Sequence, residues 1–198
     1  VGGTFTDAVA IDNETYEIIA KEKIPTTHDS KEGVAEGIVR VLQNIMEKNG
    51  ILAEEVVFIA HGTTQATNAL LEGDVATTGI LGMGAGMEAG RAKNVSDIGN
   101  IPLALGKELK TVFTFLETAD AKSMAGEVEE KIKELKAAGA EVIVASEAYG
   151  VDDPENEAFV VNTARNMGLY ATGGHEVSKL YGLKVRTRTA VVNGSLIP

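Results

Sequence analysis

Cysteine is absent from this chain, and so is any apolar run long enough to cross a bilayer. The first absence excludes disulfide scaffolds, zinc-thiolate sites and a cysteine nucleophile, and it fits a cytoplasmic protein. The second excludes a helical membrane span within these residues, because the longest apolar stretches, such as VVFIA at 56–60, are strand-sized. Basic residues are scarce as well: 18 Lys and Arg stand against 29 Asp and Glu, a formal net charge of −11. Nucleic-acid binding rests on clustered cations that release counterions, so neither nucleic acid nor membrane is expected as a partner. An acidic chain can still bind a nucleotide locally, through backbone amides and a metal ion. Natural ends are missing too. There is no initiator Met and no charged, apolar leader. The chain starts in mid-strand and stops at AVVNGSLIP, where a new apolar segment has barely begun, so the sequence reads as an excised piece of a larger protein.

What is present is the composition of a globular domain, 44% hydrophobic and 24% charged, long enough to bury a core without staples. Alternation through TFTDAVAID and YEIIAKEKI predicts two strands joined at DNET, a hairpin. Val34, Ile38, Val41, Leu42 and Ile45 then fall at helical spacing, with Asp29 or Ser30 as N-cap and Gly50 as the stop. VVFIA reads as a buried strand, TTQATNALLEG as a short helix closed by Gly73, and VATTGIL as another strand. From 82 to 106 the pattern dissolves into glycine-rich sequence, which predicts a loop or a mobile segment. Periodicity returns with a strand at TVFTFLE, a helix near 123–138, a strand at EVIVAS and a helix near 154–167. Strands alternating with helices define an α/β layout, divided here into 1–81 and 82–198.

Two clusters carry chemistry. In GGTFTD, Thr4 and Thr6 share one strand face while Phe5 and Asp7 share the other. Gly2 and Gly3 weaken a strand unless something must approach its backbone. Successive amides at a glycine-rich hairpin tip form an anion-binding concavity, hydroxyls add donors, and a nearby carboxylate can hold magnesium. In HGTTQATNALL, His61 and Gly62 follow the strand-like VVFIA, at the strand end where open α/β sheets place their ligands. Thr63 or Thr64 can cap the next helix, and Asn68 lies one turn from Thr64 on the same face. Taken singly, the glycine pair also suits a bulged edge hairpin, and His61 a hydrogen-bonded strand end.

Together, and in this order, VGGTFTD and HGTTQATNALLE resemble the N-terminal region of the hydantoinase/oxoprolinase family, which includes N-methylhydantoinase, 5-oxoprolinase and acetone carboxylase subunits. The ending RTRTAVVNGSLIP is similar to the point where that family's second domain begins. The resemblance implies an α/β, actin-like ATPase (ribonuclease H-like) lobe with a mixed sheet and flanking helices, in which a hairpin binds the phosphates of ATP between two lobes. It implies phosphate contacts at Gly2, Gly3, Thr4 and Thr6, active-site positions at Asp7, His61, Thr63, Thr64 and Asn68, and Mg2+ at Asp7. The implied substrate is a cyclic amide, or a ketone activated for carboxylation, with a second enzyme subunit as partner. The family motif begins with an aspartate just before the position of Val1, so these residues alone are expected to bind ATP poorly and to be inactive. After TTGIL the sequence departs from the longer charged stretch of relatives, which leaves the substrate open.

Other motifs are set aside. Gly84–Ala89 matches G-x-G-x-x-A, yet GRAKNVSDIGNIP cannot supply the long apolar-faced helix of a dinucleotide site. His28, His61 and His175 are too scattered for a metal-ligand spacing. Ser146 lacks the glycines of a nucleophile elbow. Lys184, Arg186 and Arg188 in KVRTRT read as a solvated strand edge.

Overall fold

The structure, a computed structural model, describes residues 1–198, the side chain of residue 105 excepted. Backbone contacts divide it into two compact units, Val1–Asn68 and Ala69–Pro198.

The first unit opens with the expected hairpin, strands β1 (Phe5–Ile11) and β2 (Ile18–Pro25) paired antiparallel with Phe5 opposite Pro25. Its turn is set by Asp12, whose Oδ1 accepts the N–H of Glu14 at 2.9 Å and that of Thr15 at 2.7 Å. These backbone donors, Thr15 first, hold the Asp12 carboxyl below its usual range. Helix α1 (Val34–Asn49) buries Gly37, Val41 and Ile45 and ends at Gly50, in the left-handed region at φ 65°. It begins later than the capping signals at Asp29 and Ser30 predict. Thr27 has taken over the capping: its Oγ1 accepts the Gly37 N–H at 2.9 Å and donates to the Gly33 carbonyl at 2.8 Å. Helix α2 (Gln65–Glu72) follows, closed by Gly73 at φ 66°.

One expectation fails in this unit. VVFIA forms no strand, and Val57, Phe58 and Ile59 are exposed. A strand is buried by its ladder partners, and among the described residues none runs alongside 56–60.

The second unit is a parallel sheet in the order β6-β3-β7-β8: β3 (Thr78–Gly84), β6 (Thr111–Glu117), β7 (Val142–Glu147) and β8 (Tyr170–Gly173), preceded at β6 by a short pair, β4 (Ile101–Pro102) and β5 (Glu108–Leu109). The boundary between the units falls inside α2 rather than after residue 81, because β3 is an inner strand of this sheet. Leu81, Met83, Ile143 and Ala145 face helices α4 (Ala125–Ala137) and α5 (Glu155–Asn166), which contribute Val128, Ile132, Leu135, Val160, Val161 and Ala164. Ile80 and Val144 face the other way, into a cluster with Ala190 and Val191. Both faces are covered, so β3 and β7 read as continuous apolar runs.

Helix α3 (Ala89–Ser96) lies in the stretch expected to be loop, and the glycines explain the misreading. A Cβ on Gly82 would lie 2.5 Å from Ser96 Oγ, and one on Gly84 would lie 2.8 Å from Ala92 Cβ. These residues let α3 approach the strand; they do not mark a loop. A second correction concerns KVRTRT, which is helical within α7 (Leu183–Gly194), preceded by the single-turn α6 (Gly174–Val177). Its buried positions are Arg186, Thr187, Ala190, Val191 and Gly194, a helical spacing that polar and small residues conceal. No helix among the described residues is long and apolar enough to cross a membrane.

Gly82→Ala is expected to cost about 1–3 kcal/mol, the range for overpacking, because its new Cβ meets the buried Ser96. Gly90→Ala, on the exposed side of α3 with nothing within 4 Å, should instead be neutral or stabilising by up to about 1 kcal/mol. Urea unfolding midpoints for the two variants test this; equal shifts would contradict the packing account of β3.

Candidate functional site

In the first unit the two threonine motifs meet through the backbone. The Val1 amino group donates to the Gly62 carbonyl at 2.7 Å, and the Thr64 N–H donates to the Val1 carbonyl at 3.1 Å. Bonds on either side of one residue to positions 62 and 64 are the pattern of parallel pairing. Gly3 is thereby set against the first turn of α2, where a Cβ would lie 3.0 Å from Asn68 Nδ2.

At the open end of the hairpin, opposite the Asp12 turn, Gly2–Thr4 turn their carbonyls toward Thr26 and His28. The Gly2 carbonyl accepts from Thr26 Oγ1 at 2.8 Å, the Gly3 carbonyl from His28 Nε2 at 2.6 Å, and the Thr4 carbonyl from the Thr26 N–H at 3.0 Å. Among the described residues no acceptor takes the N–H of Gly3 or Thr4. Adjacent free amides on a glycine-rich turn form a concavity that takes an anion.

Of the expected phosphate contacts, Gly2, Gly3 and Thr4 lie at this open end, with Thr4 exposed. Thr6 is buried, and its hydroxyl lies 3.2 Å from that of Thr26. Asp7 sits on the opposite strand face, exposed and 3.3 Å from Lys23 Nζ. Thr63 Oγ1 accepts the Gln65 N–H at 3.2 Å, a turn that starts α2, and Asn68 faces Gly3. His61 is exposed in the stretch without regular structure. His28 was missed, although hairpin register could have found it: with Phe5 opposite Pro25, Thr26 to His28 must run beside Gly2 to Thr4. Among the described residues no group of three His, Asp or Glu is placed to hold a metal ion.

The second unit carries a polar cluster at the C-terminal ends of β7 and β8. Glu157, fully buried, accepts the Glu147 N–H at 2.8 Å, the His175 N–H at 2.7 Å and a bond from His175 Nδ1 at 2.7 Å. Glu147 accepts from Asn156 Nδ2 at 2.8 Å. Burial pushes its carboxyl from the usual 4.5 up to about 7, against the opposing bond from Asn156 and with added repulsion from Glu157. Arg186, also fully buried, donates through Nη2 to the Glu147 carbonyl and through Nη1 to the carbonyls of Leu180 at 2.8 Å and Tyr181 at 3.3 Å. Between these residues Tyr149 holds φ 64° and is exposed, an outlier for a bulky side chain. Sequence reasoning missed the cluster because no motif announces it. The available signal was a charged residue at each of three positions directly after a strand or on a helix face.

The fold is thus α/β, with an antiparallel hairpin in the first unit and a helix-covered parallel sheet in the second, and its first unit leaves the amides of Gly3 and Thr4 without an acceptor among the described residues. The family model for the hydantoinase/oxoprolinase N-terminal region matches residues 1–168, and the chain belongs to this family. Among solved structures it is similar to a nucleotide-free acetone carboxylase, described under ATP-dependent acetone carboxylation, with TM-score 0.63 and 16% identity. It is also similar to an ATP-dependent caprolactamase from Pseudomonas jessenii, with TM-score 0.57 and 19% identity. Each match covers 98% of this chain and 31% of the other, so the chain spans under a third of either enzyme subunit. At these identities the likeness establishes the fold. A comparison with curated protein sequences gives no match.

The pH behaviour of Glu147 is testable. Its carboxyl binds a proton more tightly folded, near pH 7, than unfolded, near 4.5. Its contribution to stability is therefore complete below about pH 4.5 and is lost as pH rises through 7. Glu147→Gln keeps an acceptor for Asn156 and removes the charge, so its melting temperature should gain on wild type steadily between pH 5 and pH 7.5. Parallel melting curves across that window would contradict the assignment.

Proposed function

We propose that this chain supplies the phosphate-binding hairpin of an ATP-dependent enzyme that activates a cyclic amide by phosphorylation. The observation that carries the reading is the meeting of GGTFTD with HGTTQATN, bonded through Val1, Gly62 and Thr64, with the free amides of Gly3 and Thr4 beside it. The named activities of the two structural neighbours, one acting on a lactam and one on a ketone, both depend on ATP. The shared logic is that an amide or enol oxygen is a poor leaving group until it carries phosphate.

The residues present fit a phosphate. The Gly3 and Thr4 amides and the Thr4 hydroxyl donate to its oxygens, and the start of α2 lends its own amides on the other side. Bound ATP would supply the phosphoryl group and its magnesium the countercharge. Asp7 does not fit as a ligand for that magnesium, since it pairs with Lys23 on the face away from Thr4 and Thr6. In this reading Thr63, Thr64 and Asn68 orient the group that meets the phosphate, with His61 next to them in sequence; the approach of Asn68 to Gly3 and the Thr64 bond to Val1 support it. A soluble, cytoplasmic enzyme with a second subunit is part of this reading.

Two variants of the full-length protein separate binding from folding. Thr4→Val removes an exposed hydroxyl that serves no other group, so ATP affinity should fall about tenfold to a hundredfold, the equivalent of about 1.5–3 kcal/mol. Its melting temperature without ATP should not move. Thr6→Val should do the reverse, because it breaks a buried contact with Thr26. Reduced stability with unaltered affinity in Thr4→Val would refute the phosphate reading. ATP binding without any release of phosphate on adding a cyclic amide or ketone would make the protein a nucleotide sensor instead.

A further inference from the structure

The stretch 56–60 has both its backbone groups and its apolar side chains open. Val57, Phe58 and Ile59 are 75%, 80% and 60% exposed. Single apolar residues at a surface are ordinary, but three consecutive strand formers are a contiguous patch. Among the described residues no acceptor takes the N–H of Phe58, Ala60 or Gly62, and no backbone N–H is donated to the carbonyls of Val56, Phe58 or Ala60. Val56 is already extended, at φ −81° and ψ 102°. A row of unpaired backbone groups beside strand-forming side chains is a template for one more strand.

Val1 says which strand that is. Its nitrogen donates to the Gly62 carbonyl and its carbonyl accepts the Thr64 N–H, which sets Val1 opposite Thr63 in a parallel ladder. An amide N–H in place of the amino group keeps the bond to Gly62. Carried back along the chain, the same register brings every second residue before Val1 against the open groups. The carbonyl of the second residue before Val1 meets the Gly62 N–H, that of the fourth the Ala60 N–H, and that of the sixth the Phe58 N–H. Their own N–H groups meet the carbonyls of Ala60, Phe58 and Val56 in the same order. The ladder therefore continues from bonds already made and uses, one after another, the groups that lie open. A separate chain would have to abut Val1 in this one register, whereas a segment joined to Val1 is held there at high effective concentration.

We propose that residues 56–62 are the docking edge for the segment of the full-length protein directly before Val1, which pairs with them as a parallel strand in the register that Val1 sets. This pairing goes beyond the phosphate reading and needs neither nucleotide nor substrate. It has a consequence for the site nonetheless. Side chains alternate along a strand, so His61 comes onto the face of Val1 and Thr63, while Gly62 and Thr64 take the other. The added strand thus fixes a histidine that is exposed in the stretch without regular structure.

The test reads hydrogen exchange at single amides of the full-length protein without nucleotide. Phe58, Ala60 and Gly62 should exchange at least about a hundredfold more slowly than free peptide amides, at every protein concentration. Unprotected exchange at these three overturns the proposal. Protection that is lost on dilution overturns it as well, and gives the edge to a second copy of the chain. A cysteine pair then checks the register. Ile59→Cys should form a disulfide with a cysteine at the fourth residue before Val1, which stands opposite, and not with one at the third or fifth, whose side chains point to the other face. Cross-linking at the third or fifth instead contradicts the register. Exchange is measured on the unaltered chain, so it decides the matter even if a cysteine variant fails to fold. Protected amides in a protein that does not bind ATP would sink the phosphate reading alone, and ATP binding with unprotected amides would sink this pairing alone.

Discussion

Val1 bonds to Gly62 and Thr64 through its backbone and closes the two motifs of the first unit on each other, and at Gly3, where a Cβ would stand 3.0 Å from the Asn68 amide, the missing side chain lets α2 lie close. The same constraint recurs in the second unit. Gly79, Gly82 and Gly84 let helices lie against β3, and Gly150, Gly173 and Gly174 make room for Glu157, His175 and Arg186. At the second set the shared need is close approach, of a helix or of a charged side chain, and its cost is a weaker strand that the packed helices offset. Side chains that could not otherwise coexist are thereby held within hydrogen-bond distance.

Much of this was legible in the sequence. The hairpin followed from alternation around DNET, and α1, α4 and α5 from their apolar stripes. What escaped did so for identifiable reasons. Glycines in 82–106 signal both loops and close packing, and only the position of Ser96 and Ala92 tells which. VVFIA has the composition of a buried strand, but composition does not provide a ladder partner. Arg186 sits on the buried face of α7, where a periodicity search looks for leucine or valine. His28 and His175 were dismissed because histidines far apart in sequence say nothing of what each one touches singly.

Buried charges explain how the second unit tolerates that arrangement. Glu157 and Arg186 have no exposure, and such charges are costly unless their bonding capacity is filled. Glu157 accepts from three donors, while Arg186 gives three bonds to carbonyls and leaves Nε without an acceptor among the described residues. In the first unit the logic is reversed. In a chain of net charge −11 the groups proposed to meet the phosphate are neutral amides and hydroxyls at one turn, a recognition that would be local and independent of the overall field.

The central claim is that the Gly2–Thr4 segment and the start of α2 act as one phosphate site. Hydrogen exchange of the full-length protein, resolved to single amides with and without magnesium and ATP, tests it most directly. The account predicts that protection rises together, at one nucleotide concentration, across residues 2–6 and 61–68. Protection confined to the glycine segment 84–89, or to one of the two threonine motifs alone, would contradict it.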